Sequence, residues 1–240
     1  GDCTFKSPLR LSTVKGDHLP DFVDDLQRVT LNAELHEGSA RQKDLLFEKA
    51  GPRETIFFEP ARTRAAIVTC GGLCPGLNTV IRSMVLELHH IYGVKDMLGY
   101  RYGFEGLSNG PDTLEPMRLT PEVVRSIHKE GGSILGLSRG KQDASIMVDT
   151  LQRHGIDILF GIGGDGTLRG LHSIHEEVQR RGAKIAVVAV PKTVDNDVAF
   201  VDKTFGFDTA VELARFAVDC AHTEAVGARN GVGVVKLMGR

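Results

Sequence analysis

The chain has 240 residues, 41% of them hydrophobic and 25% charged, which is enough apolar material for one sizeable core beneath a charged surface. Its 29 Lys and Arg stand against 31 Asp and Glu, a formal net charge of -2; a nucleic-acid or anionic-membrane partner therefore has no global basic excess to hold, and any anion site must be local. No stretch approaches the roughly 18 apolar residues of a membrane-spanning helix, and Gly1-Asp2-Cys3 lacks the charged and apolar regions of a secretion signal.

Residues 1–60 are polar, punctuated by Pro8, Pro52 and Pro60, and carry no catalytic signature; they read as an extension containing one helix at 20–29. From residue 61 onward, short β-branched apolar runs alternate with helical stretches, the pattern of a parallel sheet built from βα units. The pattern predicts strands at 65–70, 97–100, 156–162, 185–190 and 232–237. It predicts helices at 77–90, 121–128, 146–154, 168–181 and 208–222. The fold class is thus α/β, a Rossmann-like parallel sheet flanked by helices, in a single lobe over 61–240.

Three strands run into glycine, proline or acidic clusters: Gly71-Gly72-Leu73-Cys74-Pro75-Gly76, Gly163-Gly164-Asp165-Gly166-Thr167, and Pro191-Lys192-Thr193-Val194-Asp195-Asn196-Asp197. In a parallel sheet all three lie at the carboxyl edge, where such folds bind ligands. The first two precede helices, whose starts present N–H groups and a positive dipole end to phosphate. Taken singly, each is equally well a tight turn, and Asp-Asn-Asp is more often a capped turn than a site; it is their convergence that favours phosphate. Asp195 and Asp197, two residues apart, share a face of an extended segment. One carboxylate suits a base for an attacking hydroxyl, the other a metal or cation partner. Lys192 and Thr193 add a cation and a hydroxyl donor there. Arg139, in Gly136-Leu137-Ser138-Arg139-Gly140, suits a phosphate clamp better than a helix surface.

Gly161-x-Gly163-x-x-Gly166 also resembles a dinucleotide fingerprint, but the next strand ends in Pro191-Lys192 where a ribose-binding acid is required, and Asp165 would repel a pyrophosphate without a cation. No Gly-x4-Gly-Lys-Ser/Thr string occurs. Cys70 and Cys74 have poor zinc spacing and read, like Cys3 and Cys220, as reduced packing or loop thiols. His172 and His175 lack a metal-binding partner pattern, Glu176 and Glu177 read as solvated helix surface, and Tyr100 and Tyr102 read as packing rather than stacking residues.

With the Gly131-Gly132-Ser133-Ile134-Leu135-Gly136 turn and Met238-Gly239-Arg240 added, these motifs over about 60–240 resemble, in order, the motif set of phosphofructokinases. The resemblance implies a phosphofructokinase N-terminal lobe that moves the γ-phosphoryl of ATP to the 1-hydroxyl of fructose 6-phosphate with Mg2+. It implies nucleotide contacts from Gly71, Gly72, Arg139, Gly140, Gly164, Asp165, Gly166 and Thr167, with Asp165 on the metal. Asp195 would be the base, and Thr193, Asp195, Asp197, Met238, Gly239 and Arg240 would face the sugar phosphate. In this family a glycine at Gly166 goes with ATP, whereas a lysine at Lys192 is usual with pyrophosphate. This mixture, the extension and Thr69-Cys70-Gly71-Gly72-Leu73-Cys74-Pro75-Gly76 look like the plant, trypanosomatid and related bacterial ATP-dependent branch.

The resemblance further implies a cytoplasmic homo-oligomer, dimer or tetramer, with plastid and glycosome as alternative locations, and a second lobe beyond Arg240 that supplies most sugar phosphate contacts. A pyrophosphate-dependent enzyme and an inactive fragment or regulatory subunit stay open. Lipid and NAD kinases look similar around Gly163-Gly164-Asp165-Gly166-Thr167 but do not share the Pro191 to Asp197 and Met238 to Arg240 motifs.

Overall fold

The computed structural model describes residues 2–14, 16–30, 46–108, 110–140 and 142–237. The described residues among the first 60 form two small antiparallel pairs, β1 (Phe5–Lys6) with β4 (Thr55–Ile56) and β2 (Arg28–Thr30) with β3 (Leu46–Glu48). The helix expected at 20–29 is not formed. Asp24 Oδ1 accepts from the Leu26 N–H, and this side-chain bond closes a turn in place of a helical one before β2 begins.

The lobe proper follows as β5 (Arg64–Thr69), α1 (Leu77–Leu86), β6 (Asp96–Tyr100), β7 (Met117–Arg118), α2 (Ala144–Arg153), β8 (Ile158–Gly163), α3 (Asp165–Arg181), β9 (Ala186–Pro191) and α4 (Phe207–Gly227). The sheet order is β7-β6-β5-β8-β9, parallel except for β7. β5 lies at its centre, and its residues alternate between two cores. Ala66 and Val68 pack with Met147, Leu151, Leu171 and Ile174 of α2 and α3; Ala65 and Ile67 pack with Leu77, Ile81 and Val85 of α1. Burial on both faces is why this run is apolar throughout.

After β5 the chain steps to β6 on one side, then returns to β8 on the other. The carboxyl ends of β5 and β8 therefore flank a topological switch point, the place where open α/β sheets leave a crevice for ligands. On the far side, Arg181 donates to Glu177, to Asp149 and to Ser145, tying α3 to α2. Glu177, expected as solvated surface, is thus an ion-pair partner with a side chain only 13% exposed.

Strands 65–70, 97–100, 156–162 and 185–190 and helices 77–90, 146–154, 168–181 and 208–222 are found within a few residues of expectation. The helix at 121–128 is replaced by turns and a short 3-10 helix, Ile127–Lys129; the adjacent Val123 and Val124 and the following Gly131-Gly132 disfavour continuation. The strand at 232–237 is also absent. That segment folds back along α4, Gly231 lying against the Ala225 carbonyl and Gly233 against that of Ala221, so it makes no sheet pairing and Val232 and Val234 are exposed. None of the residues of α4 is buried. No helix among the described residues is long and apolar enough to cross a membrane.

Candidate active site

The loop leaving β5 is held from two sides. The Gly71 N–H donates to the Ser138 carbonyl at 2.9 Å, and Lys192 Nζ donates to the Gly72 carbonyl at 2.7 Å. The facing turn, 130–138, is fixed by two buried polar residues. Asn78 accepts from the Ile134 N–H and donates to the Glu130 carbonyl; the Thr69 hydroxyl donates to the Gly136 carbonyl at 2.7 Å and lies 2.9 Å from Ser133 Oγ. Between loop and turn lies an open cleft of about 590 Å³ lined by Gly71, Gly72, Gly132, Ser138 and Arg139. A Cβ at Gly72 would lie 3.0 Å from an Arg139 guanidinium nitrogen, so this arginine and the loop backbone share one wall. Gly140 follows it at the exposed rim.

The second cluster differs from expectation in one respect. α3 starts at Asp165 and not at Leu168, with Gly164 as its N-cap; Asp165, Gly166 and Thr167 are the first helical turn, at the positive end of a 17-residue dipole. The helix can turn so sharply out of β8 because Gly163 has no side chain: a Cβ there would overlap Thr167. Thr167 is buried, whereas Asp165 and Gly166 are exposed, and a Cβ at Gly166 would meet no atom within 4 Å.

The third cluster leaves β9. The Lys192 N–H donates to the Gly163 carbonyl at 2.9 Å, so this residue joins all three loops. Burial holds its ammonium below the usual lysine range, with the Cys74 thiol opposing and the Arg139 charge adding to that shift. The Thr193 hydroxyl donates to Asp197 Oδ1 at 2.7 Å and accepts from the Asp195 N–H at 3.1 Å. Asp195 Oδ1 is buried with no hydrogen-bond partner among the described residues. Such an orphaned acceptor is costly unless a donor arrives. Burial pushes the Cys74 thiol up, and so does the charge of Asp195; Cys70 is pushed up to about 12, chiefly by burial. Neither thiol is a ready nucleophile.

The geometry therefore brings together Gly71, Gly72, Arg139, Gly164, Asp165, Gly166, Thr167, Lys192, Thr193, Asp195 and Asp197 on the carboxyl edge of the sheet. Met238, Gly239 and Arg240 lie outside the described residues. His172 pairs with Glu176 on the exposed face of α3, away from this edge. Sequence reading gave no role to Ser138 or Thr204, whose signal is the burial or backbone bonding of small polar residues beside the glycine loops, invisible before the loops are placed.

The Phosphofructokinase family description matches residues 64–240. The chain belongs to the phosphofructokinase family. It is 50% identical over 226 residues to an ATP-dependent 6-phosphofructokinase of Trypanosoma cruzi, covering 92% of this chain and 46% of that protein. It is 46% identical over 237 residues to "ATP-dependent 6-phosphofructokinase 4, chloroplastic" of Arabidopsis thaliana, covering 99% of this chain and 44% of that one. A solved structure of Pichia pastoris phosphofructokinase in the T-state matches with TM-score 0.60 and 28% identity, over 72% of this chain and 19% of that one. The chain spans about half the length of the curated relatives it matches. The plant and trypanosomatid likeness read from the motifs is thus found across most of the chain.

Proposed function

We propose that this chain supplies the phosphoryl-donor side of an ATP-dependent 6-phosphofructokinase, which transfers the γ-phosphoryl of ATP to the 1-hydroxyl of fructose 6-phosphate and yields fructose 1,6-bisphosphate. The observation that carries the reading is the buried, unpartnered Asp195 Oδ1, set beside two phosphate-type loops. It is an acceptor waiting for the sugar hydroxyl, whose proton it takes as the oxygen attacks.

The donor phosphates lie along the cleft between the 71–76 loop and Arg139, with the α3 N-terminus, Gly164 to Thr167, at their reacting end; fixed N–H dipoles and the guanidinium stabilise the charge that spreads over the transferring group. Among the described residues no group of three or more His, Cys, Asp or Glu could hold a metal by itself. The donor set still fits magnesium, which binds through one or two carboxylates together with phosphate oxygens and water: Asp165, exposed on the first turn of α3, would hold it, and it would neutralise donor charge. Asp197, held by the Thr193 hydroxyl, supports the transferring group, and Thr193 serves the sugar phosphate, a role that the family resemblance also gives to Met238, Gly239 and Arg240, which lie outside the described residues. Open space above Gly166 supports a nucleotide as donor, while Lys192 is the feature in common with pyrophosphate users.

With this reading go an extension at 1–60, a nucleotide-binding lobe at 61–240 and a second lobe carrying most sugar contacts. A cytoplasmic homo-oligomer of two or four copies rests on the family resemblance. The test is a steady-state assay of the purified full-length protein, free of host phosphofructokinase, with ATP or pyrophosphate as donor. Turnover of fructose 6-phosphate with ATP is expected. Preference for pyrophosphate would reverse the donor assignment, and no turnover with either would leave a binding or regulatory subunit.

A further inference from the structure

The 191–197 loop is held from outside as well as by its own bonds. Asn196 takes a left-handed conformation, φ 53°, and turns its amide away from the two aspartates that flank it, donating from Nδ2 to the Asp202 carbonyl at 3.3 Å. Its Oδ1 accepts from the Thr204 N–H at 2.7 Å. Thr204 is only 4% exposed, and its hydroxyl donates to the Thr193 carbonyl at 2.9 Å, with Asn196 Oδ1 a further 3.2 Å acceptor. Thr193 in turn bonds Asp195 and Asp197 through its own hydroxyl. One buried hydroxyl therefore anchors the residue that bonds the Asp197 carboxylate and the Asp195 backbone N–H.

The two residues after Thr204 grip the opposite loop. The Phe205 carbonyl accepts from the Cys74 thiol at 3.2 Å, and the Phe205 ring lies 3.5 Å from the Cβ position of Gly76. Gly206 sits so close to the Pro75 carbonyl that a Cβ would overlap it. Residues 204–206 are thus a bridge between the loop bearing Asp195 and the glycine loop of the donor cleft, remote in sequence from both the cleft-lining arginine and the helix dipole.

We propose that Thr204 is a positioning residue which, through the 204–206 bridge, sets the Asp195 carboxylate in register with the donor phosphates. It touches no reacting group. The inference rests on the reading of Asp195 as the base, and its energetic basis is that a misplacement near 1 Å can cost on the order of 10²-fold in rate.

The test uses Thr204→Val, which keeps the shape and removes the hydroxyl, and Thr204→Ser, which restores it, in the full-length protein. Thr204→Val is expected to lower kcat about 10- to 100-fold with KM for ATP within about threefold of the parent, and Thr204→Ser to recover most of the loss. Amide hydrogen exchange is measured in parallel. Exchange at 191–197 and at 71–76 should quicken together in Thr204→Val and return in Thr204→Ser. If Thr204→Val fails to fold, Asn196→Gly, which permits the same φ and lacks the amide, carries both measurements. Unchanged exchange in either loop overturns the bridge whatever the enzyme catalyses. Quickened exchange with unaltered kcat overturns the positioning role. Failure of the phosphofructokinase reading would show separately, as a parent protein without turnover whose exchange still responds to Thr204.

Discussion

Lys192, a residue only 5% exposed, donates from Nζ to the Gly72 carbonyl at 2.7 Å. Its ammonium is therefore committed to the backbone of the 71–76 loop, and the same residue's N–H is bonded to Gly163. A lysine that looks from sequence like a donor-selecting charge is, in the folded chain, first a strut between the ends of β5, β8 and β9.

Replacing this strut should cost stability. Lys192→Met fills the volume but leaves the half-buried Gly72 carbonyl without its donor, at a cost of up to about 1–3 kcal/mol, the range for an unsatisfied buried acceptor. Denaturant unfolding of parent and variant measures it. An unchanged midpoint would mean that water satisfies Gly72 and that Lys192 is not structural.

Asp195→Asn should lower turnover by roughly 10²–10⁴-fold while leaving ATP affinity near the parent value, as loss of a general base does. The amide is nearly isosteric, so the loop bonds of Thr193 to Asp197 and to the Asp195 N–H persist. Separate measurement of nucleotide binding and of transfer to fructose 6-phosphate decides it; near-normal turnover would remove Asp195 from the base role.

The sheet was legible because β5, β8 and β9 are apolar runs leading into glycine or proline, the first two buried or half-buried and β9 with Val188 and Ala189 exposed, and the convergence of their loops follows from parallel topology alone. The misread elements depend on partners that pattern does not reveal. Residues 20–29 carry helical spacing, but Asp24 caps a turn within them; residues 232–237 have strand composition, yet the chain lies along α4 instead of the sheet edge. β7 is two residues long and too short to register as a period. In the site, glycines and aspartates announced themselves as motifs. Thr204 did not, because its importance lies in a backbone group 11 residues away.

Gly166→Asp should depress use of ATP far more than use of pyrophosphate. Gly166 is exposed on the first turn of α3 with no atom within 4 Å of its Cβ position, so the space a nucleotide would cross is open. A carboxylate there adds bulk and like charge against the longer donor without obstructing the shorter one. Steady-state kinetics with both donors test it, and unchanged ATP kinetics would sever donor choice from this position.

A final expectation concerns pH and lies away from the site. Tyr100 Oη is 2.8 Å from His154 Nδ1 and the two rings are stacked, 3° apart in plane. Burial holds His154 below the usual histidine range, the Arg153 and Arg64 guanidiniums adding to this and Glu115 opposing it. The unfolded chain keeps the ordinary value of 6.5. Between that value and the lower folded one, the unfolded state binds more protons, so stability rises with pH through this window. This contribution is complete above about pH 6.5 and is lost as pH falls toward the folded value. Melting temperature measured from pH 7 to 5 should therefore drop less steeply in His154→Gln than in the parent, whatever the absolute cost of losing the stacked pair. Parallel slopes in the two proteins would show that His154 binds its proton equally well folded and unfolded.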